Sequence, residues 1–592
     1  MYYPKMNEVS RYREMTNVFG GYNHTLSCAE GEFYDTRNMT TAYYPVLSPR
    51  NKRGICKGLK QPSGILDKEE LMWIDDGVLY IDGKATTLDV TISTAAEMCP
   101  KTMAKMGAYV VIFPDKVWYN ADDGTSGYME AFFETSEVSF SLCDERGVSI
   151  EWHDEAYYDK NAPASGDYCL TESNGKSVLK QWSASTSIWV TVNTTYLQIA
   201  ATGIGKDFKK EDGIKITADV SGVDWADVTD IFVNDEGNGK YSVNTYIADI
   251  TDDCITIIGL LPQNKTFTNL PITVERKVPD MAFITECNNR LWGCSTDGHE
   301  VYCCKLGDVT NWNCFMGIAT DSWAATIGTD GKFTGAITYL GYPIFFKEDS
   351  LLKIAVSSYG GHQTKETYCR GVQKGSEKSL CIMNEILYYK GTTSVCAYDG
   401  SLPVSISEAL GETRYCDAVG GSIDNRYYVS MRDAGGRYQL FVYDSKRGFW
   451  CKEDNTAVLY FCRHDDELYY IDRTDNCLKS ICGTLLYDGT REGEFRWEAE
   501  SGNIGYALPD NKYVSRISIR LTMDFGTNVD FYLQYNSSGT WEHKFNMSGK
   551  GTRSFTIPVI PKRCDHFKYK IAGKGECKIH SITKTIEEGS DI

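Results

Sequence analysis

The sequence lacks the features of membrane-spanning, secreted and nucleic-acid-binding proteins. Its longest apolar runs, such as Tyr109–Phe113 and Ile257–Leu261, are far shorter than the roughly 20 residues that cross a bilayer. No apolar segment follows the charges of the opening stretch MYYPKMNEVSRYRE, so we expect no secretory signal and no membrane insertion. The formal charge of −19 argues against a protein held on DNA by counterion release, which requires a basic surface. An acidic channel through which DNA slides is compatible with that charge.

Paired cysteines are also missing. The 21 cysteines are scattered along the chain without a CxxC pair. Zinc sites need tighter pairs of ligands, and disulfide frameworks belong to oxidising compartments. We therefore expect reduced, mostly buried cysteines that serve as small apolar residues in a chain made in a reducing cytoplasm.

Proline is scarce, with 15 residues against 53 glycines. The turns are accordingly of the Gly, Asn and Asp kind that suits tight hairpins. Helical periodicity is rare, whereas short alternating runs rich in Val, Ile, Tyr, Phe and Thr occur throughout. The sequence predicts an all-β protein.

A repeat runs through these strands. Each copy has a polar turn, an aliphatic or aromatic pair that opens a strand, and a second turn. The pairs are Leu79–Tyr80, Val117–Trp118, Leu291–Trp292, Ile344–Phe345, Leu387–Tyr388, Tyr427–Tyr428 and Leu468–Tyr469. The steps between them are 38, 174, 53, 43, 40 and 41 residues, and five of the six approach the roughly 40–50 residues of a four-stranded propeller blade. We predict a β-propeller of about seven blades, give or take one, because the N-terminal 60 residues could supply a closing strand.

The one long step indicates an insertion. Subtracting a blade of about 42 residues leaves roughly 130, the size of a domain, and this region also reads as strands. The alternative is a longer propeller with weak, unrecognised blades. After Gly483, about 100 residues of regular strands without the repeat predict a C-terminal β-sandwich. The predicted domains are an N-terminal arm or docking segment (1–60), the first part of the propeller (61–129), an inserted β-rich domain (130–278), the second part of the propeller (279–483) and the sandwich (484–592).

Motifs of catalysis and metal binding are missing as well. The eight histidines are dispersed, and there is no HExxH, phosphate-binding loop or nucleophile elbow. We therefore expect no enzyme, no cofactor and no metal site. A glycosidase needs a pair of carboxylates beside an aromatic residue. The closest approach to that pattern is the cluster Glu151, His153, Asp154, Glu155 and Asp159.

Two segments carry a resemblance to a known family. The opening NVFGGYN…GEFYDTRNMTTAYYPVLSPRNKRG (Asn17–Gly54) and the segment CNNRLWGCSTDGHEVYCCKLGDVTNW (Cys287–Trp312) resemble the tail nozzle, or packaged-DNA stabilisation, proteins of short-tailed bacteriophages. The resemblance covers about two thirds of the chain, namely the N-terminal arm and the propeller. It implies a structural virion protein that forms a hexameric ring below the portal, retains packaged DNA and conducts it during ejection.

The resemblance also implies partners. These are further copies of the chain, portal or adaptor proteins, tail fibres or other tail proteins, and transiently passing double-stranded DNA, in a virion tail assembled in the host bacterial cytoplasm. Aromatic and basic side chains are concentrated in residues 1–60, where we expect the adaptor to dock. The candidate docking residues are Tyr2, Tyr3, Arg11, Arg13, Tyr43, Tyr44 and Arg50.

Two other functions stay open at this stage. One is a glycan-binding protein that recognises a receptor, with Trp and Tyr platforms on the insertion or the sandwich. The other is a glycan hydrolase with His153, Glu151, Asp154 or Glu155 in its site. Saccharide binding or turnover would distinguish either one from a purely structural part.

Overall fold

The computed structural model describes residues 10–94, 100–173, 176–356, 361–506 and 510–588. Nearly all of its regular structure is β-strand. The predicted fold class is confirmed: the chain is all-β, a propeller with an inserted β-rich domain and a C-terminal β-sandwich. Within the described ranges, no helix is long and apolar enough to cross a membrane.

Five short strands precede the propeller. They are β1 (Arg11–Thr16), β2 (Phe33–Arg37), β3 (Met39–Thr40), β4 (Ser48–Pro49) and β5 (Gly54–Gly58). Only β3 and β4 pair with each other; the other three pair with strands from far later in the chain.

The first two blades follow directly. Each is an antiparallel sheet whose four strands pair in chain order, as expected of hairpins joined by tight turns. The strands are β6 (Pro62–Asp67), β7 (Leu71–Asp75), β8 (Val78–Ile81), β9 (Lys84–Ala85), β10 (Thr102–Met106), β11 (Tyr109–Phe113), β12 (Val117–Asn120) and β13 (Ser126–Tyr128).

The inserted domain contains two sheets. Its strands and one short helix are β14 (Ala131–Thr135), β15 (Val138–Cys143), β16 (Trp152–Asp154), α1 (Glu155–Tyr158), β17 (Tyr168–Ser173), β18 (Lys176–Ser183), β19 (Ile188–Thr191), β20 (Tyr196–Ala200), β21 (Gly213–Asp219), β22 (Asn234–Gly237), β23 (Lys240–Thr251), β24 (Cys254–Ile258), β25 (Lys265–Phe267) and β26 (Ile272–Arg276). A nine-stranded sheet has the order β14-β26-β21-β23-β24-β20-β15-β25, with β22 added to β23. The small sheet is β16-β17-β18-β19, in which β16 is parallel to β17.

Five further propeller sheets follow the insertion. Their strands are β27 (Met281–Glu286), β28 (Leu291–Ser295), β29 (Glu300–Cys303), β30 (Trp323–Thr326), β31 (Gly335–Tyr339), β32 (Tyr342–Phe346), β33 (Ser350–Val356), β34 (His362–Tyr368), β35 (Cys381–Met383), β36 (Ile386–Lys390), β37 (Val395–Tyr398), β38 (Val404–Ser405), β39 (Tyr415–Ile423), β40 (Arg426–Asp433), β41 (Tyr438–Asp444), β42 (Phe449–Asp454), β43 (Val458–His464), β44 (Glu467–Asp472), β45 (Cys477–Ser480) and β46 (Thr490–Arg491). Within the described residues before the sandwich there are also three single 3₁₀ turns: Val228–Asp230, Glu377–Ser379 and Glu408–Leu410.

The N-terminal segment closes the ring of blades. In the last propeller sheet the order is β43-β44-β45-β5-β46, so a strand from the start of the chain pairs with β45. The innermost strand β43 packs on β6 of the first blade, where the Tyr460 hydroxyl donates to the Ser63 carbonyl. Last and first blades are thus joined by backbone pairing and by side-chain contact.

The C-terminal domain consists of two facing sheets. Its strands are β47 (Arg496–Ser501), β48 (Lys512–Met523), β49 (Asn528–Tyr535), β50 (Glu542–Ser548), β51 (Gly551–Ile557), β52 (Phe567–Lys574) and β53 (Cys577–Glu588). The sheets have the orders β1-β53-β48-β51 and β2-β47-β52-β49-β50. Trp497, Phe531 and Phe567 are fully buried between them, together with Phe33 from β2. Residues 10–58 are therefore shared between sandwich and propeller and do not form a separate arm.

One lysine side chain connects two blades that are not neighbours in the ring. Lys378, in the 3₁₀ turn before β35, reaches the innermost strand β43, two blades further along. Its Nζ lies 3.4 Å from the Leu459 carbonyl oxygen and 3.7 Å from the ring centroid of Tyr460. This contact links the fifth blade directly to the seventh, next to the innermost strand β39 of the sixth blade.

Candidate docking surfaces

The predicted docking residues fall in four different environments. Tyr2 and Tyr3 lie outside the described residues. Arg11 and Arg13 are exposed on β1, and Arg11 Nε lies 3.0 Å from a carboxylate oxygen of Glu587. In the described structure β1 pairs only with β53, so it is an edge strand with one free row of backbone groups.

Tyr43 and Tyr44 follow β3 but face different parts of the molecule. Tyr43 is 40% exposed, and the Lys578 ammonium of the sandwich lies 4.1 Å from its ring centroid. Tyr44 faces the sixth blade, where the Arg447 guanidinium stacks over its ring at 4.4 Å. The two aromatic residues therefore mark two surfaces.

Arg50 is a correction to the predicted docking set. It is buried, and its guanidinium makes two hydrogen bonds to Glu492, of 2.7 and 2.9 Å. Its Nε donates to the Asn38 side chain at 2.8 Å, and its guanidinium stacks over Phe495 at 4.2 Å. With every polar face of the side chain engaged inside the protein, Arg50 joins the N-terminal segment to the sandwich linker and is not available to a partner.

Arg53 continues this buried network into the propeller. It lies 2.7 Å from Glu453 and 2.9 Å from Asp454 at the end of β42. Burial opposes ionisation of Asp454, but the charges of Arg53 and Arg50 outweigh it and lower the pKa of that carboxyl. Arg50 and Arg53 therefore connect the N-terminal segment to the propeller and to the linker before the sandwich through buried ion pairs.

A basic depression lies beside Tyr44. It has a volume of about 560 Å³ and collects side chains from the N-terminal segment and from turns of blades five, six and seven. Four of its residues are cationic and two are acidic. The lining residues are Thr41, Ala42, Tyr44, Asn384, Asp424, Asn425, Arg426, Asp444, Lys446, Arg447 and Arg463. We refer to this set as the basic depression.

The small inserted sheet carries a continuous series of aromatic rings, which we call the aromatic row. His153 and Tyr157 stack with ring centroids 3.8 Å apart, and Tyr158 is 5.2 Å from Tyr157. Trp189 follows 4.9 Å from Tyr158, and Trp182 lies 5.2 Å from Trp189. His153 and Tyr157 are exposed and the other three rings are half-buried.

This aromatic row has little core beneath it. Among the described residues of β16–β19, only Cys169, Thr171 and Leu179 are buried. The contacts of these strands are made chiefly with one another and with α1. The small sheet β16–β19 therefore projects from the inserted domain, and the rings of the aromatic row lie at its surface.

The acidic residues beside the aromatic row have structural tasks. Asp154 caps the N-terminus of α1 by accepting from the Tyr157 backbone N–H at 2.9 Å, and Glu155 lies 4.0 Å from Lys180. Glu151, Asp154 and Glu155 are all exposed. Over the described ranges, no group of three or more His, Cys, Asp or Glu side chains is arranged to hold a metal ion.

The segment Cys287–Trp312 connects the third blade with the insertion. Arg290 is buried and donates to the carbonyls of Asp321, Ala319 and Cys304 at 2.6, 2.7 and 3.0 Å. Asn311 accepts from the Gly213 N–H at 3.1 Å and donates to the Glu211 carbonyl at 2.7 Å. These two polar side chains hold the loop after β29 and fix it to the start of β21.

The basic depression and the aromatic row were found only in the structure. Sequence reasoning singled out Tyr44, His153 and the Trp and Tyr content of the insertion, but not the residues that surround them. The depression gathers residues spaced over more than 400 positions of the chain, and no local pattern brings these together. The aromatic row had a signal, since all five of its residues fall within 153–189.

Comparison with known proteins gave structural matches only. No family model and no curated protein sequence matches the chain. A crystal structure of Hsv2 from Kluyvelomyces marxianus has 8% identity and a TM-score of 0.22 over 40% of this chain and 69% of that one. A glycoside hydrolase has 13% identity and a TM-score of 0.19, covering 51% and 98%. An engineered GH43 glycoside hydrolase with endo-xylanase and exo-arabinofuranosidase activity has 9% identity and a TM-score of 0.19, covering 53% and 97%.

These matches correct one expectation. From the lack of catalytic motifs we expected a protein without enzymatic activity. Glycoside hydrolases are among the matched structures, so the lack of familiar motifs does not exclude an enzyme. At TM-scores of 0.19 the matches assign no reaction to this chain.

Proposed function

We propose that this chain is a structural protein of a phage tail, of the nozzle kind that its sequence resembles. Several copies form a ring that extends the portal channel, retains packaged DNA and conducts it during ejection. The supporting observation is the role of the two resembling segments in the fold. Asn17–Gly54 supplies β2 to one sandwich sheet and leads into the closing strand β5. Asn311, in the other segment, fixes the insertion to the third blade. A body interlocked in this way suits a part that must resist deformation.

The path of the DNA lies between copies in this proposal. The duplex passes through the ring of copies and not through the centre of one propeller. A ring of chains that each carry a net charge of −19 gives a lumen with little affinity for phosphates.

The proposed partners are those that the resemblance implies. They are five further copies in a hexamer, portal and adaptor proteins, and tail fibres or other tail proteins, within a virion tail assembled in the bacterial cytoplasm. Arg11, Arg13, Tyr43 and Tyr44 stay candidates for adaptor docking, since each presents at least part of its side chain at the surface.

The ring is tested by light scattering and negative-stain imaging of the purified full chain. We expect a particle near six times the chain mass of 66.5 kDa with a central hole. Compact monomers that persist up to the solubility limit and do not assemble when adaptor rings from a related virion are added would count against the proposal.

Glycan recognition is the second candidate function, and the aromatic row favours it. Sugar rings present C–H groups that pack on aromatic faces, with a few polar groups fixing their orientation. Here five rings are contiguous, and the Lys180–Glu155 pair lies beside them. A tail protein with such a surface would recognise a saccharide on the host cell.

This second function is tested on a glycan array with the full chain, followed by calorimetry with the best saccharide. Trp189→Ala and Tyr157→Ala should each weaken binding about tenfold or more, whereas Tyr368→Ala, at a tyrosine 77% exposed on β34, should leave it unchanged. Equal saccharide affinity of all three variants would show that the aromatic row is not the binding site. Release of reducing ends that is lost in Glu151→Gln or Glu155→Gln would add hydrolysis to binding.

A further inference from the structure

The cations of the basic depression outnumber its carboxylates by four to two. Arg426 is half-buried, and Lys446, Arg447 and Arg463 are exposed. In the described structure none of the four lies within ion-pair distance of a carboxylate; burial opposes the charge of Arg426, but Tyr428, Asp444 and Asp424 together raise its pKa. The depression thus carries a net positive charge on an acidic protein.

The main acid of the depression is already occupied. Asp444 accepts from the Thr41 hydroxyl at 2.8 Å and from the backbone N–H groups of Lys446 and Arg447, both at 3.1 Å. Its carboxylate thereby holds the turn after β41 and does not pair with the surrounding cations. The turn places Lys446 and Arg447 at the rim, where both are exposed.

Two of the arginines are also held in position. The Arg447 guanidinium stacks on Tyr44, which leaves its edge N–H groups directed away from the ring. Arg463 donates through Nε to the Asp465 carbonyl at 3.3 Å, and its terminal nitrogens stay free of ion pairs. Guanidinium groups fixed in this way lose little side-chain entropy when they bind a planar oxyanion.

We propose that the basic depression binds carboxylate side chains of an acidic segment in a partner protein. The inference deepens the proposed tail function, because it assigns a surface and a chemistry to the docking of a neighbouring virion protein. A few carboxylates fit a cavity of about 560 Å³ and match the arginines in bidentate geometry. A DNA duplex fits less well, because its charge is spread along a long convex surface and the −19 chain repels it.

A labelled hexaglutamate peptide is the probe, titrated against the full chain by fluorescence anisotropy at low salt. We expect saturable binding that weakens as salt is added and falls at least tenfold in Lys446→Glu/Arg447→Glu. The control is Lys550→Glu/Arg553→Glu, which changes the charge equally at exposed positions of the sandwich and should bind as the unaltered chain does. Melting temperatures of both variants verify that they are folded.

Other occupants give other results. Equal losses in the two double variants would show non-specific attraction and overturn the inference. Stronger competition by a short DNA duplex or by inorganic phosphate than by free hexaglutamate would also overturn it, in favour of a phosphate site. Light scattering separates this test from that of the ring. A Lys446→Glu/Arg447→Glu chain that still forms the ring but loses the peptide supports the inference, whereas loss of the ring would assign the depression to a contact between copies.

Discussion

Lys378 is an ammonium group held among aromatic and apolar neighbours where the blades converge. It lies over Tyr460, and burial lowers its pKa to about 8. A second buried lysine, Lys390, also has its pKa lowered to about 8 by burial, but it donates to the side-chain oxygen of Gln373 at 3.1 Å. Burial thus lowers the pKa of both lysines, but different protein groups contact the two ammonium groups in place of water.

Lys378→Met is expected to stabilise the protein at pH 7 by about 1–2 kcal/mol. The lowering of the pKa from 10.5 to about 8 costs the folded charged form roughly 3 kcal/mol. The lost contacts of the ammonium with the Tyr460 ring and the Leu459 carbonyl offset part of the gain. Between pH 8 and 10.5 the unfolded chain keeps a proton that the folded chain has released, so rising pH stabilises the unaltered protein. The advantage of the variant should therefore shrink across that window in urea unfolding. Lys374→Met, at an exposed lysine, serves as control, and a variant difference that is constant with pH would contradict the argument.

At the scale of elements, the repeated residue pairs of the sequence do not lie on the same strand of every blade. Leu291–Trp292 and the later pairs lie on second strands of their blades, such as β28 and β44. Leu79–Tyr80 and Val117–Trp118 lie instead on the third strands β8 and β12. The true counterparts in the second strands are Leu71–Met72 and Val110–Val111. Adjacent strands of a hairpin carry the same alternation of buried and exposed positions, so a local pattern identifies a hairpin but not which strand of the blade it is.

The junction between β21 and the third blade predicts a sharp contrast between two glycines. A Cβ on Gly213 would lie 2.1 Å from the carbonyl carbon of Asn313, whereas a Cβ on Gly222 would meet nothing within 4 Å. Gly213→Ala should therefore destabilise the protein by about 1–3 kcal/mol through overpacking against backbone and should speed proteolysis of the inserted domain. Gly222→Ala should stay within about 0.5 kcal/mol of the unaltered chain. Similar urea midpoints for the two variants would show that the insertion is free to move away from the blade.

At the scale of the whole molecule, the thiols form a distributed part of the core. The twenty cysteines within the described ranges are free, and twelve of them are buried. They are spread over the blades, the insertion and the sandwich. Burial raises the pKa of the twelve buried thiols from the ordinary value of 9.0, to about 11 at Cys303 and about 12 at Cys451.

This distribution predicts a loss of stability in alkali. Between pH 9 and 11 the unfolded chain releases thiol protons that the folded chain retains, so the free energy of unfolding falls as pH rises. Lys347, Lys378 and Lys390, whose pKa values are lowered by burial, act in the opposite direction up to pH 10.5, but three lysines are outweighed by twelve thiols. We expect the free energy of unfolding to drop by more than about 1 kcal/mol from pH 8.5 to 11 in the presence of a reductant. A urea midpoint that stays constant or rises over this range would contradict the expectation. Cys451→Ala should make the free energy of unfolding fall less steeply with pH, by the equivalent of about one proton.

The sequence by itself determined the strand content, the blade-length repeat, the place of the insertion and the change of pattern after Gly483, because each depends on residues close together in the chain. Alternation along a strand and Gly, Asn or Asp at a turn are local consequences of backbone geometry. Only the tertiary structure decided that Gly54–Gly58 closes the last blade, that Arg50 is buried against Glu492, and that Arg447 and Arg463 face one depression. Those contacts join residues hundreds of positions apart. Their partners are selected by closure of the ring and by the packing of the sandwich on it, which no local pattern encodes.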